Sequence, residues 1–463
     1  MNAIIFSAIM GVVMMFSGIF TQKKSAITLT AIIALLVLLG ANICETYGCF
    51  SIDVNTHNLL HFTKFGLYFN TILIAATLIF VLLSGSSIEK AGVYVADYYA
   101  LIFFVLCGTS VLTAYNGLLM LFIGIEIMTI PLYILTGSDK KNLKSNEAAL
   151  KYFLMGSFST GILLMGIALV YGATGSFGIT SITSIAPTSA GALPISFLQV
   201  AGYILLFVSM CFKVSAAPFH FWTPDVYDGA PSVFTAFMST IVKAAGFFAF
   251  LNLFEANATI LGPTWKILIT FVIIATLLVG NITAVFQQSV KRMLAYSSIA
   301  QAGFMLFALF SNNDLAKEGV LLYAVAYSIA TIGFFAVLVK VKDHTFDGFN
   351  GLAKAHPVLA FSATIFLMSL AGIPLTAGFF AKYYMLAAVV KSGGSFWIVL
   401  VALGFAAISV YYYFKVIQAM YFKQGEPEVT SATVGYKIAL VLVALLVILI
   451  GILPSIVLNW FYF

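Results

Sequence analysis

The stretch IALVLVALLVILIGI, residues 438–452, decides the fold because it carries no charged or polar side chain on any face. A second run of the same kind, AIIALLVLL, occupies residues 31–39. A transmembrane β-strand alternates apolar and polar positions over about ten residues, and these runs do not. Unbroken apolar runs are typical of transmembrane helices. The sequence therefore predicts an all-α polytopic membrane protein.

Composition supports the same class. Of 463 residues, 62% are hydrophobic and 8% are charged, against roughly half and roughly a quarter in soluble domains. The mean hydropathy of +1.08 excludes a soluble globular protein. The net charge of +6 does not indicate nucleic-acid binding, because the 22 cations include one arginine, Arg292, and are scattered along the chain.

Cofactor signatures are missing from the sequence. The four cysteines form no CxxC pair and no cluster with histidine at metal-ligand spacing. No GxGxxG or P-loop motif precedes a predicted helix. We therefore expect no metal ion and no cofactor on this chain. Cys44 and Cys49 flank one predicted outside loop, where either a disulfide or two free thiols would fit.

Fourteen spans are predicted when about 20 apolar residues bounded by charge, Pro, Gly or Asn are required. They lie at residues 3–20, 27–44, 66–85, 95–113, 116–136, 148–172, 198–222, 231–254, 264–287, 292–311, 318–340, 357–390, 395–422 and 434–461. The first has no preceding lysine or arginine and no small-residue cleavage site, so we interpret it as an uncleaved span.

Loop charges predict the orientation. The odd-numbered loops hold thirteen cations and the even-numbered loops hold four. Because cytoplasmic loops are enriched in lysine and arginine, the odd loops are predicted to be cytoplasmic. Both termini are then expected on the outer side.

Four charged residues fall deep inside predicted spans: Glu126, Lys213, Lys243 and Lys382. Each charge at the bilayer centre costs about 2.5–3.5 kcal/mol, so partners or water are expected around it. Salt bridges that only hold helices together are the structural alternative. Three cations cannot all pair with one acid, however, and the excess favours a hydrated polar channel with titratable lysines.

Proton transfer suits this set of residues. A lysine shielded from water releases its proton more easily, and an approaching carboxylate opposes that release. Neighbouring helices lie about 8–10 Å apart, so a relay between them needs intermediate groups or water. His220 is a possible relay residue. It could equally be a histidine that is hydrogen-bonded at the cytoplasmic mouth of its helix.

Two spans contain a proline deep in the apolar run, at Pro218 and Pro374. Proline removes a helical hydrogen bond, which a membrane tolerates where protein or water covers the freed carbonyl. Paired broken helices near buried charges indicate inverted repeats around a central ion site. The two spans are the seventh and the twelfth, as a five-helix repeat requires. Ordinary proline kinks are the alternative.

Several stretches between residues 115 and 390 together resemble the antiporter-like membrane subunits of respiratory complex I (NADH:quinone oxidoreductase). They are Phe122-Ile-Gly-Ile-Glu126 with Pro131-Leu-Tyr, Asn146-Glu-Ala-Ala-Leu-Lys151-Tyr-Phe, Phe212-Lys213 through Pro218-Phe-His-Phe-Trp222, Pro224-Asp-Val-Tyr-Asp-Gly-Ala-Pro231, Lys291-Arg-Met-Leu-Ala-Tyr-Ser-Ser298, and Gly372-Ile-Pro-Leu-Thr-Ala-Gly378 with Lys382. Lysine at the helix-twelve site and no long amphipathic helix after residue 461 favour the N type of these subunits.

The resemblance implies a domain organisation. A three-helix flank would cover residues 1–94. Two inverted five-helix repeats, helices 4–8 and 9–13, would cover 95–254 and 264–422. A C-terminal helix would cover 434–463.

The resemblance also implies residue roles. Glu126 matches the family's glutamate on the fifth helix, and Lys213 matches its partner on broken helix seven. Lys243 matches the central lysine of helix eight, and Lys382 the lysine of broken helix twelve. Ala381 departs from the family pattern, where a glycine commonly precedes that lysine.

As a member of this family, the chain would be a translocase subunit in a bacterial inner membrane, with both termini periplasmic and no redox active site of its own. FMN, iron-sulfur clusters and quinone would lie on other subunits. Its partners would be further antiporter-like subunits, small helical subunits of the membrane arm and the lipid bilayer, with no nucleic acid.

Two other functions fit parts of the sequence. A subunit of a multisubunit sodium/proton antiporter would have a similar fold and similar buried lysines. A passive membrane scaffold would explain the spans but not the excess of buried lysines. The loop from Pro224 to Pro231 and the stretch from Asn146 to Phe153 favour a complex I subunit over these two alternatives.

Overall fold

The computed structural model describes residues 1–21, 23–52, 54–92, 94–179, 197–257, 260, 262–393 and 396–462. We number the spans α1 to α14 in chain order and divide the twelfth into α12a and α12b. Their bounds are Asn2–Phe20, Lys24–Thr46, Lys64–Ala91, Val95–Leu112, Leu118–Thr136, Leu143–Thr174, Phe197–Lys213, Ser232–Glu255, Gly262–Val285, Val290–Ser311, Asp314–Leu338, Pro357–Ala371 with Ala377–Lys391, Phe396–Phe422 and Val434–Ile452. Short helices cover Trp222–Gly229, Leu352–Ala355 and Ser455–Tyr462.

The all-α polytopic fold is confirmed. Within the described ranges, twelve helices are individually long and apolar enough to cross a bilayer. Span seven and both halves of span twelve are shorter, at 17, 15 and 15 residues, because each helix stops at a break. A helix of 15 residues is about 22 Å long and needs its other half to complete the crossing.

Burial separates central helices from lipid-facing ones. The apolar cores of α8 and α11 are wholly buried, whereas most of α1 and α14 is not. Phe20 at the end of α1 is 86% exposed, as an apolar side chain facing lipid would be. The helix that carries Lys243 therefore lies at the centre of the bundle.

Loop contacts show that successive spans alternate in direction. The loop after α2 pairs at Leu60 with Tyr115 in the loop after α4. The loop after α9 pairs at Ser289 with Thr345 in the loop after α11. Even-numbered loops thus contact each other, and so do odd-numbered loops, as expected if successive spans run in opposite directions.

The pairing of helices repeats with a period of five spans. Helix α4 packs along α5 as α9 packs along α10, and α6 packs along α7 as α11 packs along α12b. Because five is odd, spans that correspond in this way run in opposite directions. This is the packing order expected of inverted repeats.

The C-terminal span differs from its predicted bounds. Helix α14 ends at Ile452, not at 461, because Pro454 cannot continue the helix and disfavours helical backbone at Leu453. A short helix, Ser455–Tyr462, follows it.

Three further details concern the sequence predictions. Helix α5 continues through Pro131. Cys44 and Cys49 are free thiols. The predicted start of span thirteen, at 395, lies outside the described residues.

Candidate functional site

The break in span twelve creates the binding site of Lys382. In an unbroken helix the N–H of residue 374 would donate to the carbonyl of Leu370, but Pro374 has no N–H. The Lys382 ammonium fills this place, donating to the carbonyl oxygens of Leu370 at 3.0 Å and Ala371 at 2.8 Å. The carboxyl end of α12a also carries the negative end of the helix dipole, which favours a cation there.

A glycine makes the approach of Lys382 possible. Gly372 ends α12a with φ at +84°, in the left-handed region where side chains are disfavoured. A Cβ at this position would lie 2.9 Å from the Cδ of Lys382. On another side, the ammonium lies 5.0 Å from the centroid of the Phe304 ring, within cation–π range. Backbone shape and the lysine side chain are therefore coupled here.

The break in span seven is capped differently. Helix α7 ends at Lys213, and the carbonyl of Phe212 accepts a hydrogen bond from the Trp222 indole N–H at 3.1 Å. The N–H of Ala217 donates to the hydroxyl oxygen of Thr276 on α9 at 2.9 Å. The polar backbone of this break is satisfied by protein groups, which leaves Lys213 free to contact another helix.

Glu126 and Lys213 meet through a threonine. The Thr160 hydroxyl on α6 donates to the Glu126 carboxylate at 2.8 Å and accepts from the Lys213 ammonium at 3.4 Å. The predicted acid–lysine pair is therefore bridged rather than direct. In the described part of the chain, no ion pair joins these two side chains.

Lys243 has a neutral environment. Its ammonium donates to the carbonyl oxygen of Ser298 at 2.9 Å and to the Ser298 hydroxyl at 2.7 Å, and the residue is 2% exposed. A π-helical turn, Met238–Val242, directly precedes it. Such turns widen a helix and occur often at functional sites. Among the described residues, no carboxylate pairs with Lys243.

Four buried polar side chains lie between Lys243 and Lys382, and we name them the Gln301 cluster: Ser297, Gln301, Tyr323 and Tyr413. The hydroxyls of Ser297 and Tyr413 share a hydrogen bond, and the Tyr323 hydroxyl donates to the Gln301 oxygen. The Gln301 amide donates to Tyr413 at 3.1 Å and to the Leu370 carbonyl at 2.9 Å. The cluster thus begins beside Ser298 and ends at the carbonyl that holds Lys382.

The structure connects some of the predicted site residues and not others. Glu126 and Lys213 form one group, while Lys243 and Lys382 stand at the two ends of the Gln301 cluster. Within the described ranges, no hydrogen bond links the Lys213 group to Lys243. His220 lies in the break of span seven, and its buried Nδ1 has no hydrogen-bond partner in the described structure. A relay role for His220 therefore stays a prediction.

Three of the motifs quoted above meet at the odd-loop face. Asp225 accepts from Lys151 at 2.8 Å and from Arg292 at 3.1 Å. Burial alone would raise the pKa of Asp225, but the two cations lower it below its usual range. Lys291 donates to the carbonyls of Asp228 at 2.7 Å and Ala230 at 2.5 Å, capping the short helix. These contacts fix the end of broken span seven against α6 and α10.

Sequence reasoning missed Thr160, Gln301, Tyr323 and Tyr413. The available signal was a polar side chain inside an apolar span. That signal is weak for threonine, whose hydroxyl usually bonds its own helix. The single hydrogen of the Thr160 hydroxyl is shared in this way between the Glu126 carboxylate and the Gly156 carbonyl, which lies at 3.0 Å. A buried glutamine and tyrosines on neighbouring spans were a stronger indication.

Comparison with known proteins identifies the class. The family described as NADH:quinone oxidoreductase/Mrp antiporter, TM, matches residues 114–409. This region contains both broken spans, Glu126 and the lysines Lys213, Lys243 and Lys382. Respiratory complex I from Thermus thermophilus with bound aureothin contains a chain with 29% identity and a TM-score of 0.83, covering 99% of this chain and 98% of its own.

Relatives with higher sequence identity show which family within this class the chain belongs to. NADH-quinone oxidoreductase subunit N from Cytophaga hutchinsonii is 42% identical over 99% of both chains. The protein of the same name from Flavobacterium psychrophilum is 40% identical over 99% of this chain and 100% of its own. The chain therefore belongs to the NADH-quinone oxidoreductase subunit N family. A chain of the Mrp complex from Dietzia sp. DQ12-45-1b, at 18% identity and a TM-score of 0.84 over 99% of this chain and 96% of its own, shares the fold.

Proposed function

We propose that this chain is a proton-translocating subunit of an NADH:quinone oxidoreductase. In it, Glu126, Lys213, Lys243 and Lys382 pass protons while quinone is reduced on other subunits. The observation that carries this proposal is that Lys213, Lys243 and Lys382, which lie inside or at the end of spans in the matched region, each donate to neutral oxygen atoms. A lysine that only holds helices together through a salt bridge would pair with a carboxylate. An ammonium group that is held by neutral oxygen atoms can still release its proton, because no carboxylate stabilises its charge.

The proposal also includes the orientation of the chain in the membrane, its repeats and its neighbouring subunits. The odd-loop face, with its excess of cations, would be cytoplasmic, and both termini would be periplasmic in the inner membrane of a bacterium. The two five-helix repeats would cover residues 95–254 and 264–422. Other membrane-arm subunits would pack alongside, and FMN, iron-sulfur clusters and quinone would be bound by other chains.

Replacement of Lys243 by Met in the assembled complex tests the relay. Methionine keeps the length of the apolar stem and removes the ammonium group. We expect vesicles with Lys243→Met to lose most proton translocation. Lys266→Met is the matched control, because Lys266 is exposed near the start of α9 and is not one of the four proposed relay residues. Normal proton translocation by Lys243→Met together with normal quinone reduction would refute the relay.

A sodium/proton antiporter is the competing function. The near full-length similarity to subunit N proteins favours the complex I subunit, since the likeness to the Mrp complex concerns the fold alone. Proton uptake by vesicles with and without Na⁺ in the medium separates the two. We expect no dependence on Na⁺, and a strict requirement for it would support the antiporter.

A further inference from the structure

The side chain of Gln301 uses all of its hydrogen-bonding groups in the middle of the Gln301 cluster. Its two N–H groups donate to the Leu370 carbonyl at 2.9 Å and to the Tyr413 hydroxyl at 3.1 Å. Its oxygen accepts from the Tyr323 hydroxyl. The residue is 3% exposed. These three bonds fix the carboxamide in one orientation between α10, α11, α12a and α13.

This orientation places Gln301 between two lysine sites. On one side, Tyr413 contacts Ser297, whose neighbour in sequence, Ser298, holds the Lys243 ammonium. On the other side, the Leu370 carbonyl accepts from both Gln301 and Lys382. Within the described structure, the hydrogen bonds from Tyr413 to Leu370 pass through the Gln301 carboxamide.

The chemistry of these groups differs on the two sides of Gln301. A hydroxyl both donates and accepts hydrogen bonds, so a proton can move along a row of hydroxyls and amines. A carboxamide does not titrate near neutral pH, and a backbone carbonyl only accepts. In the described structure, Ser297 and Ser298 are joined by sequence and not by a hydrogen bond, and from Ser297 onward the row of contacts to Lys382 is interrupted for proton transfer at Gln301.

We propose that Gln301 is a proton barrier between Lys243 and Lys382. Its bond to Leu370 holds the end of α12a against α10, and a proton passes only after that bond opens. Gln301 acts through its neighbours and is a positioning residue rather than a carrier. This inference rests on the proposed relay, because a barrier has a function only if protons pass between the two lysines.

Replacement of Gln301 by Glu tests the barrier in the complete complex. A carboxyl group of nearly the same shape can accept a proton from one side and donate it to the other. We expect vesicles with Gln301→Glu to translocate fewer protons per NADH oxidised while the rate of quinone reduction is retained. A merely structural role would lower both together, and that outcome would overturn the proposal.

The chain offers a matched control in Asn257. This buried amide accepts from the Tyr203 hydroxyl at 2.9 Å and donates to the Leu253 carbonyl at 2.7 Å, as Gln301 does with its own tyrosine and carbonyl. It lies two residues beyond Glu255, where the apolar span of α8 ends, and outside the Gln301 cluster. We expect Asn257→Asp to keep the proton-to-NADH ratio of the unmodified complex.

A milder variant decides the question if Gln301→Glu does not assemble. Tyr323→Phe removes the hydroxyl that orients the Gln301 oxygen, and Tyr203→Phe is its control. We expect Tyr323→Phe to lower the proton-to-NADH ratio in the same direction by a smaller amount. An unchanged ratio in every assembled variant, while Lys243→Met loses translocation, would refute the barrier and leave the relay standing.

Discussion

The ammonium group of Lys382 lies 2.8 Å from the carbonyl oxygen of Ala371, across the break in its own span. The second half of the span thereby supplies the cation that satisfies the end of the first half. Pro374 creates the need for this contact, and the left-handed backbone at Gly372 leaves room for it. A change in the shape of the break must therefore change the position of the lysine.

Gly372→Ala tests this coupling. A left-handed backbone costs an ordinary residue about 1–2 kcal/mol, and the new Cβ would press on the Lys382 side chain. We expect weaker proton translocation and a lower unfolding temperature of the purified complex.

Gly404→Ala on α13 is the control, because its Cβ would meet no atom within 4 Å. Alanine also favours helix by up to about 1 kcal/mol over glycine, so this variant should be at least as stable as the unmodified complex. Equal behaviour of the two variants would mean that the break does not position Lys382.

Thr160→Val removes the hydroxyl that joins Glu126 to Lys213 while keeping the shape of the side chain. The carboxylate loses a donor and the ammonium loses an acceptor, at a cost of about 1–3 kcal/mol for an unsatisfied buried group. We expect lower proton translocation in vesicles, and recovery in Thr160→Ser, which restores the hydroxyl. Full activity in Thr160→Val would show that the two charges interact without the bridge.

The positions of spans and breaks could be predicted from sequence because they depend on local properties. Apolar length and loop charge define the helices, and a proline removes a hydrogen bond wherever it stands. Thus Pro218 and Pro374 marked both breaks, and Lys382 was singled out for its burial. The end of α14 was missed because the apolar run continues past Pro454, and the predicted span followed the apolar run instead of ending before the proline.

The partners of the buried charges could not be predicted in the same way. The resemblance paired Glu126 with Lys213, and a direct salt bridge was only the structural alternative; the packing of α6 places the Thr160 hydroxyl in contact with both side chains. The sequence does not show which carbonyl a lysine will reach, or that Gln301 and Tyr413 will meet from different spans. Those contacts depend on the rotation of each helix about its axis. A span that is apolar on every face does not indicate that rotation.

Asp225 should act as a structural ion-pair centre at the odd-loop face. Its pKa is lowered by Lys151 and Arg292, so the pairs contribute above the unfolded value of about 3.9 and are lost only as pH falls below it. We expect Asp225→Asn to destabilise the complex equally between about pH 6 and pH 8. Asp225 and Arg292 should show a coupling of about 0.2–1 kcal/mol in a double-mutant cycle, since both are partly exposed.

That cycle uses the unfolding temperatures of complexes with Asp225→Asn, Arg292→Gln and both changes. Additive effects would mean that the two side chains act independently. A pH dependence of the Asp225→Asn effect near neutrality would contradict the lowered pKa of the carboxyl group.

Gly451 on α14 should help to hold the break of span twelve in place, although it is not one of the proposed relay residues. A Cβ there would lie 2.5 Å from the Leu375 carbonyl oxygen and from Thr376, inside the segment that joins α12a to α12b. We expect Gly451→Ala to push this segment away and to lower proton translocation, although α14 carries none of the proposed relay residues. Gly435→Ala on the same helix meets no atom within 4 Å and should behave normally. Equal translocation by both variants would show that the break is positioned without support from α14.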